Sequence, residues 1–134
     1  MASVGLFGQD WEANFDEAVT KAAQNNLPVV LVFTGSDWCG PCKKLDKNIL
    51  QSEVFQQYAK DHYVLYNADF PRKKGNQLPE EKRATNEALA HAFNRKGYFP
   101  LVVVLDKSKH VLGTTGYKKT TPEKYLSLLN SFIK

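Results

Sequence analysis

The sequence predicts an α/β domain: a central mixed sheet of four to five strands, flanked by helices on both faces. Two observations carry that prediction. Short runs rich in β-branched residues stand at Val29–Thr34, Tyr63–Ala68, Leu101–Leu105 and Val111–Thr115, and such runs suit strands buried in a sheet. Segments with apolar residues at helical spacing precede the first run, separate the first three and follow the last. Helical links imply parallel pairing among the early strands, while the turn chemistry of Asp106 to Lys109 makes the last two a hairpin.

Each element has its own signal. Phe15, Ala18, Val19, Ala22 and Ala23 recur on one face of a first helix, which Asn25-Asn26 ends and Pro28 forbids from continuing. After the first strand, Gly35 and Ser36 break the chain, and a helix is expected from about Cys39 to Leu50, then a further helical stretch from Ser52 to Ala59. Asp69-Phe70-Pro71 stops the second strand, and the polar residues 70–78 form a loop. Pro79 suits the first turn of a helix whose buried face is read as Ala84, Ala88, Leu89, Ala92 and Phe93, with Gly97 as its C-terminal cap. Thr121 caps a last helix with Pro122 at its first position, and Tyr125, Leu126, Leu129, Phe132 and Ile133 form its inner face.

A chain of 134 residues is the size of one domain. Residues 1–134 are therefore read as a single unit, with 1–10 as a flexible extension. Hydrophobic residues make up 43% of the chain and aromatics 12%, which excludes a disordered chain. The longest apolar run, Val29 to Phe33, falls far short of the roughly 20 residues of a membrane span. The start, Met1 to Phe7, lacks a basic lead and an apolar stretch of signal-peptide length. A cytoplasmic protein fits that start, and so does a secreted one whose leader has been removed. The net charge is +4, but the lysines are scattered, densest at Arg72-Lys73-Lys74. Without a basic stripe interleaved with stacking aromatics, a solvated surface is the expected reading and nucleic acid is not an expected partner.

Chemistry concentrates at Trp38-Cys39-Gly40-Pro41-Cys42-Lys43, directly after the first strand and at the start of a helix. Free N–H groups and the helix dipole favour an anion at the first cysteine. A free thiol has a pKa of about 8.5, and the thiolate is the species that attacks a disulfide. Cys42 lies one turn on, in reach of Cys39, and Gly40-Pro41 keeps the spacer short. Cys-x-x-Cys is also half of a zinc site, but there are no other cysteines, and His62, His91 and His110 fall on separate elements. A cysteine hydrolase would leave the second cysteine without a role. No metal and no cofactor is expected.

The string Trp38 to Lys43 resembles the active site of the thioredoxin family, and the match extends over most of the chain. Its strand precedes the motif, Asp69 ends the next strand, and Pro100 stands just before Leu101–Leu105. The resemblance implies a thioredoxin fold with a lengthened segment before a cis proline at Pro100. It implies Cys39 as nucleophile, Cys42 as resolving thiol, and a substrate groove made by Trp38, Gly40, Pro41, Phe99, Pro100 and Gly116. A narrower likeness, in Phe33–Cys39, Asp69–Arg72, Asn86–Ala90 and Gly97–Pro100, is to an exported bacterial branch labelled disulfide reductases or isomerases. It implies a periplasmic or otherwise extracytoplasmic place, with cytoplasmic the alternative.

Two departures stand out. Counted without gaps, the places of the family's buried aspartate and its lysine partner hold Phe33 and Leu65. That leaves the proton of Cys42 to water, or to Asp37, expected to point to solvent. The second departure is the long segment between Asp69 and Pro100. The expectation is a thiol–disulfide oxidoreductase acting as a monomer on protein or peptide disulfides, kept reduced by an upstream thiol reductant. The Gly-Pro spacer resembles that of reducing members of the family, which implies a reductase rather than an isomerase. The alternative is a redox-sensing or peptide-binding module that uses the groove around Pro100 without turnover.

Overall fold

The structure, a computed structural model, describes residues 11–133. The expected extension, residues 1–10, lies outside them. The elements in chain order are α1 (Phe15–Asn25), β1 (Val29–Thr34), α2 (Gly40–Leu45), a π-helical segment (Asp46–Leu50), α3 (Glu53–His62), β2 (Val64–Asp69), a 3-10 turn (Lys74–Asn76), α4 (Glu80–Phe93), β3 (Leu101–Leu105), β4 (Val111–Thr115) and α5 (Pro122–Ser131). The four strands lie in the order β2-β1-β3-β4.

β1 is central and buried along its whole length, which explains its unbroken apolar sequence. Its side chains alternate between two cores. Val30 and Val32 pack with Leu45, Ile49, Phe55, Leu126 and Leu129, on the side of α2, α3 and α5. Val29, Leu31 and Phe33 pack with Phe15, Ala18, Ala22 and Leu89, on the side of α1 and α4. The helix ends follow their local signals: Asn14 accepts the Glu17 N–H at the start of α1, and Asn26 closes it in the left-handed region. Thr121 accepts the Lys124 N–H ahead of α5. Phe132 follows α5 and packs so closely over Gly113 of β4 that a Cβ there would lie within 2.3 Å of its ring.

Several expectations change. β1 and β2 are parallel, but β3 is antiparallel to β1, with Phe33 opposite Leu101. The chain therefore re-enters the sheet at the end where β1 leaves it, instead of crossing over to the far end. The expected helix from Cys39 to Leu50 is α2 continued as a π-helical segment, and the next helix runs on to His62.

The face of α4 is turned relative to its alanines. Ala84, Ala88 and Ala92 are exposed, and the buried residues are Asn86 and Leu89. A polar residue fixes this rotation. Asn86, 1% exposed, accepts the Tyr66 hydroxyl at 2.7 Å and donates to the Asp69 carbonyl at 3.2 Å. Ala23 of α1 is likewise exposed. Asn94, not Gly97, caps α4. The Asn94 side chain donates to the Tyr98 carbonyl and accepts the Tyr98 N–H, and Gly97 supplies the positive φ of 72° that this turn needs.

Candidate active site around the Cys39–Cys42 disulfide

The strand register gathers four chain segments at one end of the sheet. Thr34, the last residue of β1, lies beside Asp69, the last of β2. Phe33 pairs with Leu101, so Pro100 comes in next to the exit of β1. Thr115 pairs with Val102, which brings Gly116 to the same end. Gly116 approaches the Pro100 backbone so closely that a Cβ would sit 3.4 Å from its carbonyl oxygen, and the Tyr125 hydroxyl donates to the Gly116 carbonyl at 2.8 Å. The Phe99–Pro100 bond is cis, as the sequence led one to expect.

Cys39 and Cys42 are joined by a disulfide, with their Cα atoms 5.2 Å apart. Cys39 is the N-cap of α2, and its Sγ accepts the Cys42 backbone N–H at 3.2 Å. Gly40 and Pro41 form the exposed first turn. The sequence predicts an accessible Cys39 and a shielded Cys42. In the disulfide form the two are 4% and 3% exposed, so both are buried and the Cys39 Sγ accepts the Cys42 N–H.

Trp38 sits flat against Gly35, where a Cβ would come within 2.2 Å of the indole. Its Nε1–H donates to the Phe70 carbonyl at 2.7 Å, and the Arg72 guanidinium lies 3.7 Å from its ring centroid on the ring face. The rings of Trp38 and Phe99 meet edge to face at 5.4 Å, as do those of Phe70 and Phe99. Trp38 and Phe99 thus form one aromatic wall with Phe70, a member the sequence reading had placed only as a strand breaker.

Asp37 does not point freely to solvent. Its carboxylate accepts the N–H groups of Arg72 and Lys73, both at 2.9 Å, and the Asn76 side-chain amide at 3.0 Å. The Arg72 N–H leads in holding its pKa down, to about 2. A carboxylate so strongly favoured as an anion is a poor proton acceptor. Asp69 accepts both the N–H and the hydroxyl of Ser36, at 2.9 and 2.6 Å, fastening the loop before Trp38 to the end of β2.

Phe33 and Leu65 do not form a pair beneath Cys42. They lie on opposite faces of the sheet, Phe33 toward α1 and α4, Leu65 toward α3 and α5, because successive strand residues alternate and ungapped counting ignores the face. What adjoins Cys42 is a cavity of about 480 Å³, its polar lining including Thr34, Ser36, Asp46, Gln51 and Asn67. Asp46 lies one turn beyond Cys42, its N–H bonded to the Cys42 carbonyl. Asp46 is an exposed residue, and partial desolvation of its carboxyl raises its pKa above the ordinary carboxylate value, opposed by the Gln51 side-chain amide, which donates to it. The sequence reading missed Asp46; its i, i+4 spacing from Cys42 was the available signal.

His62, His91 and His110 are all exposed. Among the described residues no group of three His, Cys, Asp or Glu side chains is placed to hold a metal ion, and no helix is long and apolar enough to cross a membrane.

A protein-family model described as thioredoxin-like matches residues 10–107. The chain belongs to the thioredoxin-like family. This thioredoxin-like chain is 36% identical over 124 residues to the disulfide bond reductase DsbH of Chlamydia pneumoniae, a match covering 92% of this chain and 72% of the relative. A solved structure described as the DsbH oxidoreductase superposes with a TM-score of 0.86 at 32% identity, covering 99% of this chain and 92% of that one. A solved disulphide isomerase from Xylella fastidiosa Temecula1 shares the fold, with a TM-score of 0.66 at 18% identity over 94% of this chain and 98% of its own.

Proposed function

We propose that this protein is a thiol–disulfide oxidoreductase that reduces protein or peptide disulfides through Cys39 and Cys42. The observation that carries the reading is the Cys39–Cys42 disulfide capping α2, with the Cys42 N–H aimed at the Cys39 sulfur. In the reduced protein that N–H stabilises a Cys39 thiolate, since a hydrogen bond to the charged form favours it. The thiolate attacks a substrate sulfur, breaks the substrate S–S bond and forms a mixed disulfide. Cys42 then attacks Cys39, releasing the second substrate thiol and restoring the Cys39–Cys42 bond. The substrate gains two electrons and two protons, and an upstream thiol reductant resupplies them to the enzyme.

The proton that leaves Cys42 passes into the adjoining cavity, which is polar and roomy enough for water. Asp46, which lines the same cavity as Cys42, takes it up there. Substrate lies in the groove formed by Trp38, Gly40, Pro41, Phe99, Pro100 and Gly116. Backbone groups ahead of β3 pair with an extended peptide, a mode that accepts many sequences. The naming of the Chlamydia relative as a reductase, and the Gly-Pro spacer, favour reduction over isomerisation. An extracytoplasmic place and a monomeric enzyme complete the reading, the first resting on the likeness to exported family members.

Insulin reduction with dithiothreitol tests the proposal. The protein is expected to accelerate precipitation of the insulin B chain, and Cys39→Ser to abolish the effect. No acceleration by the wild type would leave a binding module without turnover.

A further inference from the structure

The sequence reading treated Arg72-Lys73-Lys74 as solvated charge. The structure gives these residues a fixed place. Asp37 accepts the backbone N–H groups of Arg72 and Lys73 and the side chain of Asn76. Gln77 closes the loop on itself by donating to the Pro71 and Lys73 carbonyls at 3.1 and 3.2 Å. Trp38 donates to Phe70, and Arg72 stacks on the Trp38 ring. The two residues that hold the loop, Asp37 and Trp38, are those immediately before Cys39. A loop that only covered surface would need no anchors at the redox centre.

The anchoring is made by the Arg72 and Lys73 backbone N–H groups, the Asn76 amide and the stacking of Arg72 on Trp38, with the Lys73 charge favouring the Asp37 anion, and it leaves the three cations at the surface. Arg72, Lys73 and Lys74 are exposed, as are Lys43 and Lys44 just beyond Cys42. Among the described residues none of these five cations forms a salt bridge. The nearby carboxylates are turned elsewhere: Asp37 to the loop backbone, Asp69 to Ser36, Asp46 to Gln51. Cations thus flank the cysteines on two segments: Lys43 and Lys44 follow Cys42 in the chain, and Arg72 of the docked loop lies over the ring of Trp38, the residue before Cys39.

We propose that this docked basic loop selects polypeptide substrates bearing Asp or Glu beside the disulfide to be reduced. The inference rests on the disulfide-reductase reading and adds the charge class of its substrates. A positive rim beside a reactive sulfur raises the encounter rate of an anionic partner by about tenfold or more at low salt. The effect fades as the screening length falls from about 30 Å at 0.01 M to about 3 Å at 1 M.

The test uses the full chain, reduced with dithiothreitol and then freed of it. Two peptides, each with one intramolecular disulfide and differing only in Glu or Lys flanks, are reduced in single turnover at 0.01 M and 1 M salt. The expected ratio of Glu-flanked to Lys-flanked rate is about ten or more at low salt, falling toward one at high salt. Arg72→Gln/Lys73→Gln/Lys74→Gln should bring the low-salt ratio down severalfold. Asp37→Asn separates docking from overall charge. It makes the protein more positive, so a net-charge effect raises the ratio, whereas release of the loop lowers it. A raised ratio in Asp37→Asn, or a ratio unchanged in the triple variant, overturns the inference. Equal wild-type rates on both peptides overturn it and leave disulfide reduction standing. No turnover of either peptide overturns the reductase reading itself.

Discussion

Replacing Asn86 tests whether one polar side chain sets the seat of α4. Asn86→Ala removes the acceptor of the Tyr66 hydroxyl and the donor to the Asp69 carbonyl. Tyr66 is 1% exposed, so water cannot take over its hydroxyl without disturbing the core. A buried hydroxyl left unpaired costs about 1–3 kcal/mol, and the lost amide bond adds about 1 kcal/mol. The expected destabilisation is therefore about 2–4 kcal/mol. For a domain of this length each kcal/mol moves the melting temperature by about 3–4 °C. Tyr66→Phe strands the Asn86 carbonyl instead and costs about 1–3 kcal/mol. The double variant leaves neither group orphaned by the other, so its cost should fall short of the sum by about 1–2 kcal/mol. Urea unfolding of the four proteins measures this, with midpoints shifted at unchanged slope. Costs that add to within about 0.5 kcal/mol would refute the coupling and with it the account of how α4 is turned.

The site gives three further outcomes. Cys42→Ser should trap mixed disulfides with substrate proteins on non-reducing gels, and Cys39→Ser far fewer; equal trapping would mean that either sulfur attacks. Asp46→Asn should slow resolution of the mixed disulfide by about tenfold or more and flatten its pH profile, as loss of a proton acceptor does; a profile unchanged between pH 4 and 8 would remove Asp46 from the mechanism. Asp37 is held near a pKa of about 2 in the folded protein, below the unfolded value of about 3.9. The unfolded chain therefore binds more protons in that window, and this stabilisation is complete above about pH 4 and lost as pH falls toward 2. Urea unfolding of Asp37→Asn between pH 2 and 5 should show a shallower acid slope than wild type.

What the sequence disclosed depended on how local each cause was. Caps at Asn26 and Thr121, the apolar run of β1 and the Cys39-Gly40-Pro41-Cys42 string all act within a few residues of themselves, and each was legible. The direction of β3 was not, because it depends on the end of the sheet at which the chain re-enters after α4, and that is set by pairing with β1, about seventy residues away in the chain. The alanines of α4 suggested one buried face, but Asn86 found partners on β2, distant in sequence, and rotated the helix to reach them. Asp37 looked like a free acid because its three donors lie more than thirty residues away. Phe33 and Leu65 were misjudged for a geometric reason, since counting along a strand does not say which face a residue takes.

The two margins of the sheet are unequal. On the outer side of β2, Trp11 already forms a bridge to Leu65, and the Glu12 N–H donates to the Leu65 carbonyl at 2.9 Å. The margin at β4 has no such cover among the described residues, and Val111 and Leu112 stand 51% and 36% exposed there. A strand arriving from another molecule can join at β4, whereas at β2 it must first evict Trp11. Endless stacking of sheets requires two receptive margins on every molecule. Because Trp11 and Glu12 cover only the start of β2, they make pairing at that margin less favourable than at β4, and this inequality works against growth of this protein into a fibre.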